Sequence, residues 1–318
     1  MKKALVLVLV LVLGFSFALT GCSSQEPATG GEGGGEQEPE KTTSITFYSG
    51  PMGGAWFPLS GAIASILHTE LGLSVDVVPG GGMLNIAAVE QGDAQLGWLN
   101  SVSGGDAWNG VAPFEGEHRK QAAILVSYSQ YWQPVSVASV KSIEEWEGHV
   151  VAPSPRGHTG EQMTERVLDA YGLSYDDLAG VEFVSYADAV SAMRDGHIHA
   201  LGFGSTAPTP PVTEIAMARD INYLNVDEDI IDFMVKEYPG VVRKVIPAGT
   251  YPDQDEDWIT IGWESVLFTT IDLDEDLVYD ITRIMFEKKD DLATVTPDIK
   301  PGRYGEGGHG DLFPFVPG

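Results

Sequence analysis

The stretch 45–57, ITFYSGPMGGAWF, decides how the globular part of the chain begins to fold. Residues 43–48 alternate polar and apolar side chains and are rich in β-branched and aromatic residues, which predicts a strand. A glycine-rich loop covers 49–57, and residues 58–71 carry apolar side chains at helical spacing. The stretch therefore predicts a strand, a loop whose glycines let the backbone approach a ligand closely, and a helix.

The same order of elements continues along the chain and then repeats. Residues 74–78, 83–91 and 94–99 predict strand, helix and buried strand. A second set is predicted with strands at 148–152, 181–184 and 200–203, helices at 161–170 and 186–194, and a loop at 153–160. Because strands alternate with helices, we expect parallel pairing with right-handed crossovers in each half. The fold class predicted is α/β and periplasmic-binding-protein-like, with two α/β lobes and a ligand cleft between them.

The last two predicted elements are expected to pack against the first half of the chain. Residues 258–270 predict a strand and residues 275–286 a helix, and we expect both to pack on the first lobe. Residues 125–137 and 245–269 then become the expected crossings between the halves. The predicted division is a first lobe of residues 44–134 plus 258–318 and a second lobe of residues 135–257.

The N-terminal residues predict export and a lipid anchor. A positive start, Met1-Lys2-Lys3, precedes an apolar run over 4–18, which is shorter than the ~20 residues that a membrane-spanning helix needs. Leu19-Thr20-Gly21-Cys22 resembles the lipobox of bacterial lipoproteins, in which the peptide is cut before a cysteine that carries diacylglycerol. We therefore expect a signal peptide at 1–21, lipidation of Cys22 and attachment to the outer face of the cell membrane. The alternative is an ordinary secretory signal.

The residues after Cys22 predict a flexible tether. Residues 22–43 are rich in Gly, Pro and Glu and have too few apolar side chains to order themselves. A lipid, a tether and a globular body together indicate a protein held outside the cytoplasm, at the cell surface or in the periplasm.

Composition excludes several function classes. Eighteen Lys and Arg face 46 Asp and Glu, a net charge of −28 in 318 residues, so nucleic acid is excluded as a bulk partner. The single cysteine excludes an intrachain disulfide and a Cys-rich metal site. His197 and His199 alternate in the chain and would point to opposite faces of a strand, which disfavours a shared metal. No nucleophile elbow, phosphate loop or dinucleotide motif occurs, so we predict no enzyme activity, cofactor or metal.

The strand ends predict the ligand site, because ligands of open parallel sheets bind outside the carboxyl ends of the strands, near helix N-termini. Arg156 in the loop SPRGHTG is a candidate clamp on a carboxylate, with solvent exposure as the alternative. The other candidates have ordinary turn chemistry or core packing as their alternative. The candidate ligand-binding residues are Gly50, Gly53, Gly54, Trp56, Phe57, Asn100, Ser101, Arg156, His158, Thr159 and Ser205.

Six segments in register resemble the TAXI family, the substrate-binding receptors of one class of TRAP transporters. They are ITFYSGPMGGAWF (45–57), VEQGDAQLGWLNS (89–101), VVAPSPRGHTG (150–160), YADAVSAMRDGHIHALGF (186–203), IPAGTYP (246–252) and DEDLVYDITRIMFE (274–287). The resemblance therefore covers about residues 45–290.

The resemblance implies a two-lobed receptor that closes on a small organic anion, often glutamate-like or a dicarboxylate, and delivers it unchanged to a sodium-dependent membrane permease. By matching position it carries over all the candidate residues above except Arg156 and His158. The sequence departs from the family at Arg156, His158 and His199 and in its tail, which favours an anion with an apolar or aromatic part over plain glutamate. We expect a monomer. The alternatives are a secreted α/β enzyme that uses the same cleft, and a ligand-sensing lipoprotein.

Overall fold

The computed structural model describes residues 42–50 and 55–295, and the structural statements below concern that part of the chain. The chain divides into two units after Lys41, and the first unit lies outside the described residues. The predicted signal peptide, the lipobox with Cys22, nearly all of the tether and the tail after residue 295 also lie outside them. Those assignments stay predictions. Within the described residues no helix is long and apolar enough to cross a membrane.

Strands and helices alternate through most of the chain. The strands are β1 (Ser44–Tyr48), β2 (Ser74–Val78), β3 (Leu96–Asn100), β4 (Gln121–Val137), β5 (Val150–Ala152), β6 (Gly180–Val181), β7 (Ala200–Ser205), β8 (Ile221–Tyr223), β9 (Val242–Ile246) and β10 (Trp258–Thr270). The helices are α1 (Trp56–Leu71), α2 (Gly82–Gln91), α3 (Ser101–Asn109), α4 (Thr159–Ala170), α5 (Tyr186–Arg194), α6 (Pro210–Ala218), α7 (Glu228–Glu237), α8 (Glu275–Glu287) and α9 (Lys289–Val295).

The described strands form one mixed sheet in the order β2-β1-β3-β10-β4-β7-β5-β6, with β8 paired to β4 and β9 paired to β10. β1 pairs in parallel with β2 and β3, and β5 pairs in parallel with β6 and β7. The predicted parallel pairing is therefore confirmed in both halves. β4 and β10 run antiparallel to each other and separate the two parallel groups.

The long strands β4 and β10 cross between the halves. One end of β10 pairs with β3, from Ser265 opposite Asn100 to Thr269 opposite Leu96, and its other end pairs with β9. β4 pairs with β10 over most of its length and with β7 near its end. The predicted crossings are confirmed, except that the second begins at β10, because β9 ends separately at Ile246. The exact lobe boundaries stay a prediction, since both strands run through them.

Separate apolar clusters fill the two halves. One contains Phe47, Leu59, Trp98 and Ile281, which places β1, α1, β3 and α8 around a common core. Another contains residues from β5, α4, α5 and β7 together with Trp132 of β4 and Trp258 of β10. α8 packs in the core of the first half, whereas β10 contributes to both cores. The assignment of the last strand and helix to the first lobe stays a prediction.

Four helices, α3, α6, α7 and α9, were not predicted from the sequence. α3 has the sequence SVSGGDAWN, in which glycine and serine lower helix propensity. The glycines are needed there because a Cβ on Gly105 would lie 2.5 Å from the Pro239 carbonyl oxygen. The strand predicted at 181–184 was wrong after Val181, since β6 ends there.

Candidate functional site

A cavity of about 410 Å³ lies where loops from both halves meet over β4 and β10. Its walls come from the first half, from the long strands and from the second half. The described lining residues are Ala55, Trp56, Gly80, Gly81, Gly82, Met83, Asn100, Ser103, Tyr128, Gln130, Gly157, His158, Thr159, Gly160, Gln162, Tyr186, Gly204 and Trp263.

Four helices begin at this cavity. The residues before α1, α2, α3 and α4 are Ala55, Gly81, Asn100 and His158, and all four line it. None of these four residues makes a side-chain cap hydrogen bond. Because the first N–H groups of a helix have no intrahelical acceptor, they remain able to donate to a ligand, and the helix dipole favours an anionic one.

Aromatic side chains form much of the apolar wall. The Trp56 ring is stacked on Trp98 with centroids 6.1 Å apart, and its Nε1 donates to Ser265 Oγ at 2.7 Å. The Tyr186 hydroxyl donates to the Gly204 carbonyl oxygen at 2.9 Å. Trp263 is 1% exposed, and its Nε1–H has no hydrogen-bond partner among the described residues. The hydrogen bonds of Trp56 and Tyr186 fix the orientation of these two rings. The indole N–H of Trp263 makes no such bond within the described part of the chain.

Asn100 joins the two halves across the cavity. Its Nδ2 donates to Thr159 Oγ1 at 2.7 Å, and its Oδ1 accepts from Gln130 Nε2 at 2.9 Å. Asn100 ends β3, Thr159 begins α4 and Gln130 lies on β4, so three separate elements meet through one amide side chain. The two halves are therefore in direct contact at the site.

Asn85 supports the site from behind and was not predicted from the sequence. Its Nδ2 donates to the carbonyl oxygens of Ser49 and Trp98 at 2.8 and 2.7 Å, and its Oδ1 accepts from Gly81 N at 2.9 Å. Asn85 is fully buried, so one side chain fixes the ends of β1 and β3 and the start of α2. An asparagine within the apolar pattern of a predicted helix was the available signal.

The structure places several predicted site residues around the cavity. Trp56, Asn100, His158 and Thr159 line it. Gly50 is buried beside it, and a Cβ there would lie 2.9 Å from the Trp56 Cβ, so that position has no room for a side chain. Gly53 and Gly54 lie outside the described residues.

Four other predicted residues are not among the described lining residues. The Arg156 guanidinium lies over the Phe183 ring, 3.7 Å from its centroid, so the structure does not bring this predicted clamp into the cavity. Ser101 Oγ donates to the Gly240 carbonyl oxygen at 2.6 Å, and Ser205 Oγ accepts from Thr209 Oγ1 at 3.3 Å. Phe57 is half-buried in the first turn of α1. A sequence pattern identifies the loop but not the direction of each side chain.

The described lining carries no Asp, Glu, Lys or Arg. Desolvation lowers the pKa of His158, although its side chain is exposed at the rim, and the charge of Glu161 opposes this shift. Burial raises the pKa of the Tyr186 hydroxyl. Both side chains are therefore neutral at pH 7, and polar recognition comes from amides, hydroxyls and backbone N–H groups.

One of the two alternating histidines contacts a third histidine. The His199 ring lies edge-on to His149 with centroids 5.2 Å apart. Across the described residues no group of three His, Cys, Asp or Glu side chains is placed to hold a metal ion.

Comparison with models of known protein families identifies the family of this chain. The model of the NMT1-like family matches residues 47–318. The chain belongs to the NMT1-like family. A solved structure of PhnD1 from Prochlorococcus marinus in complex with methylphosphonate resembles this NMT1-like protein with a TM-score of 0.50 at 12% identity, covering 82% of this chain and 92% of that one. The aliphatic sulphonate binding protein SsuA from Escherichia coli also matches, with a TM-score of 0.47 at 12% identity over 81% and 80% of the two chains.

The predicted fold class is thereby confirmed, because the NMT1-like chain has the two-lobed α/β fold of periplasmic solute-binding proteins. The identity to the solved structures is low, so the likeness concerns the fold alone. Membership of the TAXI subgroup stays a prediction.

Proposed function

We propose that this NMT1-like protein is an extracytoplasmic receptor that binds a small organic anion between its two lobes and releases it unchanged. The observation that carries the proposal is the cavity between the halves, which is lined by the uncapped N-termini of α1, α2, α3 and α4. Helix N-termini supply N–H donors and a positive dipole end, so they can hold an anion without a charged side chain.

Closure of the lobes is the binding step in this proposal. The Asn100 hydrogen bond to Thr159 joins the two sides of the cavity, and a ligand seated there would contact both. A ligand favours the closed arrangement only to the extent that it binds that arrangement more tightly than the open one. Contacts from both lobes provide this difference.

The partner proposed is the membrane permease of a TAXI-type TRAP transporter, which is sodium-dependent. The support is the order of six sequence segments that resemble that family, together with the lipobox and the acidic, glycine-rich tether. In this arrangement the lipid on Cys22 holds the receptor at the membrane and the tether lets it reach the permease.

Native mass spectrometry of protein purified without denaturation tests the receptor proposal. The expected result is one bound small molecule per chain that is released intact on denaturation and binds again to the emptied protein. A secreted enzyme would instead convert the compound, and the absence of any bound or rebinding solute would contradict both functions. Within the described residues no histidine nitrogen is hydrogen-bonded to a serine or threonine hydroxyl, which gives the enzyme alternative no activated nucleophile of that kind.

The anchor is tested separately in the full-length protein. Radiolabelled fatty acid should be incorporated into the wild type and not into Cys22→Ser, which should leave the membrane fraction. A ligand-sensing lipoprotein would show the same labelling, so deletion of the proposed permease distinguishes the two roles. Loss of solute uptake with the receptor still loaded supports transport, and unchanged uptake contradicts it.

A further inference from the structure

The cavity is unusual in having polar groups but no charged side chain of either sign among its described lining residues. The candidate clamp Arg156, in the loop before α4, is stacked on Phe183. Arg166, on the same helix as the lining residue Gln162, is paired with Asp106 at 2.7 Å. The Glu161 carboxylate accepts from Gly157 N at 3.2 Å and is not itself a lining residue. No described lining side chain therefore carries a fixed full charge.

A lining without a carboxylate discriminates against an ammonium group. A buried ammonium without a counter-charge loses its hydration, and neutral oxygens and aromatic faces restore only part of what it loses, so its burial is unfavourable. The dipoles of α1, α2, α3 and α4 present their positive ends to the cavity, which disfavours a cation further. An α-amino acid, which has both a carboxylate and an ammonium group, fits such a site poorly.

The same lining favours a flat apolar body on the ligand. Trp56, Tyr128, Tyr186 and Trp263 all line the cavity, and rings at offset-stacked or edge-on positions attract one another beyond simple burial. Trp263 contributes ring surface only, because its indole N–H is buried away from solvent. A ligand with a ring therefore gains more from this lining than a linear one does.

We propose that the cavity binds an organic anion with an aromatic body and no ammonium group, the class to which aryl-substituted carboxylates belong. The proposal rests on the receptor function above and narrows its ligand. The anionic group is held by backbone N–H groups and neutral side chains, and the ring lies among the four aromatic side chains.

Four compounds test separately whether the ligand needs an aromatic ring and whether it must lack an ammonium group. Phenylalanine is 3-phenylpropionate with an α-ammonium group, and glutamate is glutarate with the same addition. Isothermal titration calorimetry on the full-length, ligand-stripped protein should give 3-phenylpropionate the tightest binding. We expect phenylalanine to bind at least about tenfold more weakly, because the unpaired ammonium costs more than the 1.4 kcal/mol that a factor of ten represents. Glutarate should also bind more weakly, since it has no ring.

An added carboxylate should reduce this selectivity. Gln162 lines the cavity from α4, and Gln162→Glu keeps its shape while adding a negative charge. The variant should bind 3-phenylpropionate about tenfold more weakly and should reduce the difference from phenylalanine. Gln91→Glu makes the same chemical change at an exposed position at the end of α2, so it should bind all four compounds as the wild type does.

The outcomes distinguish this inference from the receptor proposal. It is overturned if phenylalanine or glutamate binds as tightly as its ammonium-free partner, or if both Gln→Glu variants behave alike. If none of the four compounds binds, the compound released in native mass spectrometry decides: an aromatic anion without an amine supports the inference, and an amine-bearing solute overturns it. The receptor proposal fails only if no solute is held or if the solute is converted.

Discussion

Single buried amides fix the loops that form the cavity, and Asn85 shows how much depends on one of them. Its side chain makes hydrogen bonds to Ser49, Trp98 and Gly81, which belong to three different strand ends and loops. The amide therefore links β1, β3 and the start of α2 through hydrogen bonds of one side chain. The cost of removing it follows from the polar groups left without partners.

Asn85→Ala should lower the free energy of unfolding by about 3 kcal/mol, because two buried carbonyls and one N–H lose their partner and each loss costs about 1–3 kcal/mol before relaxation. Urea denaturation followed by circular dichroism measures the change. Asn109→Ala is the matched control, since Asn109 is exposed and donates only to the Gly105 carbonyl in its own helix. That variant should lose no more than about 0.5 kcal/mol. Equal losses in the two variants would contradict the role given to Asn85.

His158 should make anion binding depend on pH. Its lowered pKa keeps it neutral at pH 7, and it takes up a proton only as the pH falls below the usual range of histidine. The proton adds a positive charge at the cavity rim, so affinity for an anion should rise as the pH falls.

Calorimetry with the co-purifying anion between about pH 7.5 and 5.5 should show a two- to fivefold gain in affinity, the size expected for a charge at an exposed rim. His158→Gln should abolish the gain. His68→Gln, at an exposed position on α1, should keep it. A gain that survives in His158→Gln would assign the pH dependence to another group.

At the scale of elements, close backbone approach positions the N-terminus of α4. A Cβ on Gly160 would lie 2.7 Å from Ser154 Oγ and 2.8 Å from Gly204 N, so helix and strand meet with no room for a methyl group. Gly160→Ala should force α4 away from β7 and lower the free energy of unfolding by about 1–3 kcal/mol.

Gly61→Ala is the control for that substitution. Gly61 lies inside α1, and a Cβ added there would meet nothing within 4 Å, so alanine should add about 0.5–1 kcal/mol through helix propensity. Urea denaturation gives both values. Two changes of the same sign would show that helix propensity, and not the approach of α4 to β7, governs the result.

The sequence predicted the elements whose own residues determine them. Alternating and helical apolar patterns were enough for β1, α1, α4 and the parallel groups of strands. They were not enough for α3, whose glycines are explained only by the Pro239 carbonyl 2.5 Å from a Cβ on Gly105, a contact between distant parts of the chain.

For the site, the sequence predicted which loops surround the cavity but not which of their side chains point into it. Trp56, Asn100, His158 and Thr159 line the cavity, as expected for residues at strand ends and helix starts. Arg156 lies in the expected loop, but its guanidinium is stacked on Phe183. The position of Phe183 beside Arg156 depends on where β6 ends. The end of β6 is set by tertiary packing, which a local sequence pattern does not contain.

At the scale of the whole molecule, a buried ion pair holds the two halves together beside the cavity. Arg166 of α4 donates to Asp106 of α3 at 2.7 Å, with the two side chains only 12% and 3% exposed, and its guanidinium lies 4.4 Å from the Tyr238 ring centroid. Desolvation raises the pKa of Asp106 despite the positive charge of Arg166. Burying the Arg166–Asp106 pair is therefore costly, and the pair forms only where α3 and α4 meet. These properties fit a contact that forms when the two lobes close.

Arg166→Met should shift the molecule toward an open arrangement, because it leaves the Asp106 carboxylate buried without its partner in the present arrangement of the halves. Breaking a buried pair costs about 3–5 kcal/mol, so affinity for the co-purifying anion should fall at least about tenfold. Small-angle X-ray scattering of the ligand-free variant should give a larger radius of gyration than the wild type. Arg243→Met removes an exposed pair with Glu228, 2.6 Å apart, and should change neither quantity. An unchanged radius together with unchanged affinity in Arg166→Met would mean that the halves stay closed without this contact, and binding would then have to proceed without the lobe motion proposed for it.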